Sequence, residues 1–317
     1  MPSKKSSKIS RSKSSRANPR PRLYGPAPLA SLGWLLGAGA VAVVIGTLAA
    51  YFVLGIIFYQ NQAMLLFHPS RNITTTPASV GLSYQQIAFA PGPGNQPQLT
   101  GWWIPAEQNR PQSSSTWRNS TLLYLHGATG SLSATIPQLK ALHNLGINVF
   151  AIDYRGFGNS ANIRPTEQTA SADAVSAWKY LTGEKHIQPT QIVVYSEGAG
   201  TTFAAHLATQ HTVAGLVLAE ISPTAHAIFQ QDPRARLLPL FLLANQHLNP
   251  APDLKRLNIP KLFLDWPKKS SPQPSVTSHD YQLAASPKHL TSLPGAAPSG
   301  IAKALHPFLA QVLPAAQ

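Results

Sequence analysis

A serine, an aspartate and several histidines are the side chains of this sequence that could together cleave an acyl bond. Ser196 ends a short apolar run and precedes Glu197 and Gly198. In acyl transfer a serine hydroxyl attacks the carbonyl carbon, a histidine accepts the proton and a carboxylate orients that histidine. Asp265 ends another apolar run, and three candidate bases follow it in the chain, His279, His289 and His306. These residues form one candidate site, that of a serine hydrolase.

Metal and thiol chemistry have weaker support. The sequence contains no cysteine, which excludes disulfides, thiolate ligands and cysteine nucleophiles. His206 and His211 are five positions apart, which is not the spacing that puts two imidazoles on one face of a helix. Glu197 is either an anchor for a polar ligand or a solvated charge at a helix N-terminus. We therefore expect no metal site and no cofactor.

The pattern of apolar segments predicts the elements that position these residues. Short β-rich segments at 82–90 and 99–105 precede a polar loop. After it, apolar strands alternate with amphipathic helices. The predicted strands are 121–125, 147–153, 191–195, 213–219, 261–265 and 289–293, and the predicted helices are 136–145, 167–181, one ending near 210, 279–285 and a final one. This alternation predicts an α/β fold whose parallel sheet carries its chemistry at the carboxyl ends of the strands.

Two of these strand ends carry recognisable motifs. Residues 123–127 read Leu-Tyr-Leu-His-Gly and residues 153–160 read Asp-Tyr-Arg-Gly-Phe-Gly-Asn-Ser. With Gly-Trp-Trp-Ile-Pro at 101–105, the chain resembles the α/β-hydrolase superfamily, and most closely its membrane-anchored, single-domain branch related to serine aminopeptidases. The resemblance covers the chain from about residue 60 and implies an α/β-hydrolase fold. It also implies that His126, Gly127 and Ala199 form the loops of an oxyanion hole. A turn residue that bonds locally is the other interpretation of His126.

The resemblance leaves two registers for the nucleophile. Active members carry Gly-x-Ser-x-Gly at a strand-to-helix turn, and residues 194–200 read Val-Tyr-Ser-Glu-Gly-Ala-Gly. Aligning the apolar positions of the following helix puts Gly198 at the nucleophile position. The second register makes Ser196 the nucleophile, with Val194 where the family has glycine. It rotates the helix by about 200° and turns its apolar face outward. Both registers stay open at this point.

The remaining triad positions lack the required chemistry in the same alignment. Lys269 stands at the acid position and Pro298 at the base position. Lysine cannot orient an imidazolium, and proline accepts no proton. With Gly198, these positions imply a degenerate triad and a catalytically inactive protein, a pseudo-hydrolase that binds a ligand or a partner. The alternatives are a divergent esterase, amidase or peptidase that uses Ser196, or a structural module of the cell envelope, so whether the chain is an enzyme stays open.

The N-terminal segments predict a membrane anchor. Among 317 residues, 25 are Lys or Arg and 11 are Asp or Glu, and eight of the basic ones fall within the first 22 positions. Residues 1–30 therefore predict a disordered basic tail, whose charge does not indicate a nucleic-acid partner. Residues 32–58 are almost entirely apolar, more than the roughly 20 that a transmembrane helix needs. The prediction is a signal-anchor helix at 31–59, which makes the membrane a partner.

Length and composition fit a folded domain after that anchor. The chain is 44% hydrophobic, which excludes a disordered or fibrous protein. We expect residues 60–317 to form the α/β-hydrolase domain, with a short lid-like insertion at 222–256. Because positive charge stays on the cytoplasmic side of a membrane, we expect a single-pass protein of the inner (cytoplasmic) membrane. Its tail would be cytoplasmic and its domain periplasmic or extracellular, and its binding partner would be a small molecule or a protein.

Overall fold

The structure is a computed structural model that describes residues 31–107, 117, 119–266 and 275–313. The tail predicted at 1–30 lies outside the described residues, as does Lys269. The chain divides between Phe52 and Val53 into two units.

The first unit contains the beginning of a long apolar helix, α1 (Leu32–Leu66). The most apolar stretch of α1 has a mean hydropathy of 2.6, and 11% of that stretch is buried. Within the described ranges, α1 is the one helix long and apolar enough to cross a bilayer. Its length and composition are compatible with single-pass membrane anchoring.

The second unit is built on an eight-stranded sheet. Its strands are β1 (Gln85–Pro91), β2 (Pro97–Ile104), β3 (Thr121–Leu125), β4 (Asn148–Asp153), β5 (Ile192–Gly198), β6 (Gly215–Ile221), β7 (Lys261–Asp265) and β8 (Lys288–Ser292). From edge to edge their order is β1, β2, β4, β3, β5, β6, β7, β8. β2 is antiparallel to both of its neighbours, and the remaining strands are parallel. The mostly parallel sheet confirms the predicted fold class.

Helices connect the strands and cover the sheet. They are α2 (Ile136–His143), α3 (Glu167–Lys179), α4 (Gly200–Gln210), α5 (Ala225–Phe229), α6 (Leu240–Leu243), α7 (Ala251–Leu254), α8 (Val276–Leu283) and α9 (Pro298–Val312). Short 3₁₀ turns lie at Pro77–Val80, Pro93–Asn95, Leu132–Thr135, Pro189–Gln191 and Ala235–Leu237, a π-helical turn at Tyr180–Glu184, and a two-residue parallel pairing joins His68–Pro69 to Thr129–Gly130. Side-chain caps mark some helix starts; Thr166, for example, forms a capping box with Thr169 before α3.

The core lies in two layers, one on each face of the sheet. Side chains of successive strand residues alternate between the layers, so that Leu123 and Leu125 face one layer and Tyr124 the other. The first layer includes Phe203 of α4 and Ala174 of α3. The second layer is closed by α2 and α9. Burial on both faces explains why the parallel strands are continuous apolar runs in the sequence.

Strand register brings the candidate residues to one edge of the sheet. Leu125 pairs with Ser196, and Ser196 pairs with Leu218. Glu197 and Gly198 then extend β5 by two residues beyond Ser196. The His126–Gly127 turn, the end of β5 and the end of β6 therefore meet at the carboxyl edge, where α/β sheets place their sites.

Candidate functional site

The turn between β5 and α4 is built around two glycines. β5 ends at Gly198 and α4 begins at Gly200. Gly198 has a φ of +57°, in the left-handed region that favours glycine. A Cβ on Gly200 would lie 2.5 Å from the Leu125 carbonyl oxygen. Close packing of β3 against the start of α4 therefore requires glycine at position 200.

Gly198 lies beside the His126–Gly127 turn at the tip of the strand-to-helix turn. A Cβ built on Gly198 would lie 3.5 Å from Gly127 Cα and 3.3 Å from the Ser222 Oγ. Ala199 follows and is 2% exposed. The structure thus brings Gly127 and Gly198 together, with Ala199 next in the chain, and the assignment of these residues to an oxyanion hole stays a prediction. Gly198, at the tip of the strand-to-helix turn, has no side chain.

Ser196 lies inside the strand rather than at the turn. Its side chain is fully buried, and its hydroxyl donates a hydrogen bond to the Val217 carbonyl oxygen over 3.0 Å. In the part of the chain that the structure describes, no imidazole or carboxylate bonds to this hydroxyl. A nucleophilic serine needs a base within hydrogen-bond reach, and Ser196 has a strand carbonyl in that place.

The structure does not bring the other candidate residues of a rebuilt site to Ser196. The Asp265 carboxylate accepts hydrogen bonds from Ser275 Oγ over 2.7 Å and from Ser278 Oγ over 3.1 Å, at the start of α8. The candidate bases lie on three different elements, His279 in α8, His289 in β8 and His306 in α9. Asp265 therefore fastens α8 to the end of β7.

The His126 side chain is turned into the core. Its Nδ1 donates to the Gly127 carbonyl oxygen over 2.7 Å, and its Nε2 lies 3.5 Å from Asp153 Oδ1. The ring packs on Tyr154, with 4.6 Å between centroids, and edge-on to Phe157. His126 is 2% exposed. This imidazole therefore fixes the turn, and Gly127 is the residue that borders Gly198.

Comparison with known proteins identifies this architecture. A sequence model of serine aminopeptidases, S33, matches residues 118–273. An esterase from Pyrococcus furiosus superposes with a TM-score of 0.60 at 18% sequence identity, covering 77% of this chain and 99% of that one. The chain belongs to the α/β-hydrolase superfamily. The predicted superfamily resemblance is therefore confirmed.

One relative in sequence covers most of this chain, and a second covers about a third of it. An uncharacterized protein of Mycobacterium tuberculosis is 27% identical over 256 residues, which cover 80% of this chain and 87% of that protein. Protein bem46 of Schizosaccharomyces pombe is 34% identical over 110 residues, or 34% of this chain and 36% of its own length.

The positions aligned with the catalytic triad can be located in part. Gly198 lies at the strand-to-helix turn, and Pro298 is the first residue of α9. Lys269 falls among residues 267–274, outside the described part of the chain. Assignment of these three residues to the nucleophile, base and acid positions stays a prediction.

The Asp-Tyr-Arg-Gly-Phe-Gly-Asn-Ser motif of this α/β-hydrolase has a structural explanation. Arg155 Nε donates to Asp173 Oδ1 over 2.6 Å, and the Arg155 backbone N–H donates to Asp173 Oδ2 over 2.8 Å. Ser160 Oγ donates to the Asp153 carbonyl oxygen over 2.6 Å. Burial raises the pKa of Asp173 to about 6, although Arg155 acts in the opposite direction. Asp173, whose role the sequence did not reveal, ties this loop to α3.

The Glu197 carboxylate accepts a hydrogen bond from a tyrosine hydroxyl. Tyr124 is fully buried, and its hydroxyl donates to Glu197 Oε1 over 2.6 Å. Its ring stacks on Tyr195 with 5.3 Å between centroids. Burial raises the pKa of the Glu197 carboxyl above its ordinary value. The tyrosine pair was not anticipated, since their contact depends on β3 and β5 being neighbours.

The two histidines considered for metal binding make separate contacts. His206 Nδ1 lies 3.6 Å from Asp253 Oδ2, and His211 stacks on Trp178. Over the described ranges of the chain, no group of three His, Cys, Asp or Glu side chains could hold a metal ion.

Proposed function

We propose that this α/β-hydrolase-fold protein is anchored in a membrane by α1 and does not catalyse hydrolysis, and that its fold binds a ligand or a partner. One observation carries the proposal. Gly198, at the tip of the strand-to-helix turn, has no side chain, and the nearest serine in sequence has its hydroxyl bonded within the sheet. An acyl transfer that begins with a serine oxygen has no starting atom on this turn itself; the serine hydroxyl beside it, that of Ser222, belongs to the segment after β6.

The chemistry of the other two positions supports the same proposal. A triad needs a base that accepts the serine proton and an acid that holds the base. In the proposed alignment these positions hold Pro298, which cannot accept a proton, and Lys269, whose charge would repel an imidazolium. Loss of one triad member typically lowers the rate by about 10⁴-fold. When all three are lost, no nucleophile attacks a carbonyl whose negative charge the proposed oxyanion hole could stabilise.

A divergent serine hydrolase is the competing function. The Pyrococcus relative in fold is an esterase, and Ser196 would be the nucleophile of such an enzyme here. For that function, the Ser196 hydroxyl would have to leave the Val217 carbonyl and reach both substrate and base. The burial of Ser196 weighs against this alternative.

A groove between α3, α4 and the lid supports a binding role. It encloses about 610 Å³ and is lined by polar side chains that include Glu167, His206, His247 and Asp253. Ser171 also lines the groove, so Ser171→Trp would place a large side chain in it. We expect native mass spectrometry of the full chain to detect a retained small molecule in the wild type and not in Ser171→Trp. If the wild type and Ser171→Trp give identical spectra, the small-molecule form of the proposal is wrong and the partner-binding form remains.

The anchor gives the proposed protein its location. The apolar part of α1 follows eight basic residues within the first 22 positions, none of them matched by an acidic residue. By the positive-inside rule, the N-terminus is cytoplasmic and the domain lies on the far side of the cytoplasmic membrane. In a cell with an outer membrane, that side is the periplasm. The proposed partners thus include membrane lipid and do not include nucleic acid.

Ester hydrolysis by the purified full chain tests the proposed loss of catalysis. We expect no turnover of p-nitrophenyl acetate above the rate in buffer with detergent. Ser196→Ala is the diagnostic variant. Ser176→Ala is its matched control, because the Ser176 hydroxyl also donates to a carbonyl, that of Ala172, on α3. Turnover that Ser196→Ala abolishes and Ser176→Ala retains would establish the serine hydrolase instead.

A further inference from the structure

The lid exposes large apolar side chains in a short stretch. Leu237, Phe241 and Leu242, here named the lid patch, are 69%, 83% and 72% exposed. Outside α1, the other large apolar side chains exposed in the described residues are Ile163, Leu283 and Leu290, each at about 40% or less. Apolar side chains that are this exposed and this close together mark a surface that is covered in the working protein.

The residues that follow the lid patch, Leu243 and Asn245, contact the part of α1 that belongs to the same unit. Gln62 Nε2 donates to the Leu243 carbonyl oxygen over 2.6 Å, and the Asn245 backbone N–H donates to Gln62 Oε1 over 2.9 Å. A Cβ on Gly55 would lie 3.6 Å from Leu243 Cδ1. These contacts fix α6 beside the stretch of helix from Gly55 to Gln62. The lid patch therefore moves together with the stretch of α1 from Gly55 to Gln62.

This stretch of helix is itself apolar and exposed. Val53, Ile56 and Ile57 are 52%, 41% and 53% exposed. A helix needs about 20 residues to cross the hydrocarbon core, and counting from Leu32 meets that need near residue 52. The following apolar turn, with the lid patch beside it, is then at the level where acyl chains give way to headgroups.

Basic side chains accompany the apolar ones. Arg234 and Arg236 are exposed and precede Leu237 in the chain. Arg234 forms an ion pair with Asp232 over 2.9 Å, so Arg236 is the one of the two whose charge faces no carboxylate in the described residues. Arg164 Nη1 donates to the Gln60 carbonyl oxygen, which holds a third guanidinium near the same part of the helix. Apolar side chains with adjacent guanidinium groups match a lipid surface, where acyl chains lie below a layer of phosphates.

We propose that the lid patch inserts into the bilayer that α1 spans, so that the domain lies on the membrane at its lid. This inference rests on the membrane anchoring proposed above. A second copy of the chain is a poorer occupant, because a stable interface buries about 800 Å² per partner. Three side chains supply roughly half of that.

Single-cysteine labelling tests the inference, since the natural chain has no cysteine. The full chain is reconstituted in vesicles of phosphatidylcholine and phosphatidylglycerol with a nitroxide at Phe241→Cys or, in a second variant, Leu242→Cys. Leu290→Cys on β8 is the matched aqueous control, and Val44→Cys reports on the apolar part of α1. Collision with oxygen reports lipid exposure, and collision with a water-soluble nickel chelate reports aqueous exposure.

We expect the labels at 241 and 242 to collide several-fold more with oxygen than with the chelate, and the label at 44 to behave in the same way. The label at 290 should collide more with the chelate than with oxygen. An aqueous label at 241 and 242 with a lipid-exposed label at 44 overturns this inference and leaves the anchor intact. Labels shielded from both reagents at 241 and 242 show that protein covers the patch, and also overturn it. An aqueous label at 44 overturns the anchor and this inference together.

Discussion

The Ser196 hydroxyl of β5 donates a hydrogen bond to the Val217 carbonyl of β6 over 3.0 Å. The bond runs between two neighbouring parallel strands, and Ser196 has no exposed surface. A serine that satisfies a carbonyl inside a sheet is a structural residue, because a nucleophile must present its oxygen to a substrate and a base. Two residues later, at the tip of the strand-to-helix turn, the chain has glycine.

Placing a serine at the turn tests whether a hidden base exists. Gly198→Ser would impose a φ near +57° on a residue with a side chain, which costs about 1 to 2 kcal/mol. We expect a lower thermal midpoint and no ester hydrolysis, because the proposed alignment puts Pro298, which accepts no proton, at the base position. Gly183→Ser is the control, since a Cβ at Gly183 meets no atom within 4 Å. Hydrolysis gained in Gly198→Ser would mean that a base lies beside the turn.

The buried Asp173 makes stability depend on pH. Its pKa is raised from 3.8 to about 6 because burial outweighs the attraction of Arg155. Between these values the folded chain keeps a proton that the unfolded chain has lost, so stability falls as pH rises through this window. Relative to Asp173→Asn, we expect the wild-type free energy of unfolding to drop by on the order of 2 kcal/mol.

Denaturant titrations of both proteins from about pH 4 to pH 6.5 would measure this difference. A wild type that instead gains stability over Asp173→Asn as pH rises would indicate that Arg155 holds the pKa of Asp173 below its ordinary value.

Glu197 and Tyr124 form a buried pair that should be costly to break. Glu197→Ala leaves the Tyr124 hydroxyl without its acceptor, which costs about 1 to 3 kcal/mol. Glu197→Gln keeps an acceptor oxygen for the Tyr124 hydroxyl, so its thermal midpoint should stay close to that of the wild type. Glu184→Ala, at an exposed position, serves as the control. Equal thermal midpoints for the three variants would show that the pair contributes nothing to stability.

The strands were the most predictable part of the fold. β3 and β7 have the predicted bounds, because a fully buried parallel strand is a continuous apolar run that ends abruptly. α8 begins at Val276, three residues before the predicted helix, since Ser275 caps it by accepting from the Ser278 N–H over 3.0 Å. α1 continues to Leu66 beyond the apolar run. Gln62 is polar in the sequence, yet it is buried because the backbone of Leu243 and Asn245 satisfies its amide.

The candidate site was predictable in its backbone and less so in its side chains. Local spacing was enough to suggest that Gly127 and Gly198 belong to one edge of the sheet. The partners of Ser196, Glu197 and Arg155 lie on other elements, and only the strand order and the helix packing reveal them. Sequence could therefore propose Ser196 as a nucleophile and could not reveal that Val217 occupies its hydroxyl.

Covalent labelling tests the central claim most directly. Wild-type full-length protein, Ser196→Ala and an active serine esterase as positive control are treated with an alkyl fluorophosphonate, and intact-mass spectrometry measures the fraction carrying an adduct. We predict no adduct on the wild type under conditions that label the esterase completely. Stoichiometric labelling of the wild type, mapped to Ser196 and lost in Ser196→Ala, would contradict the account, as would an adduct mapped to any other serine, including Ser222 beside Gly198.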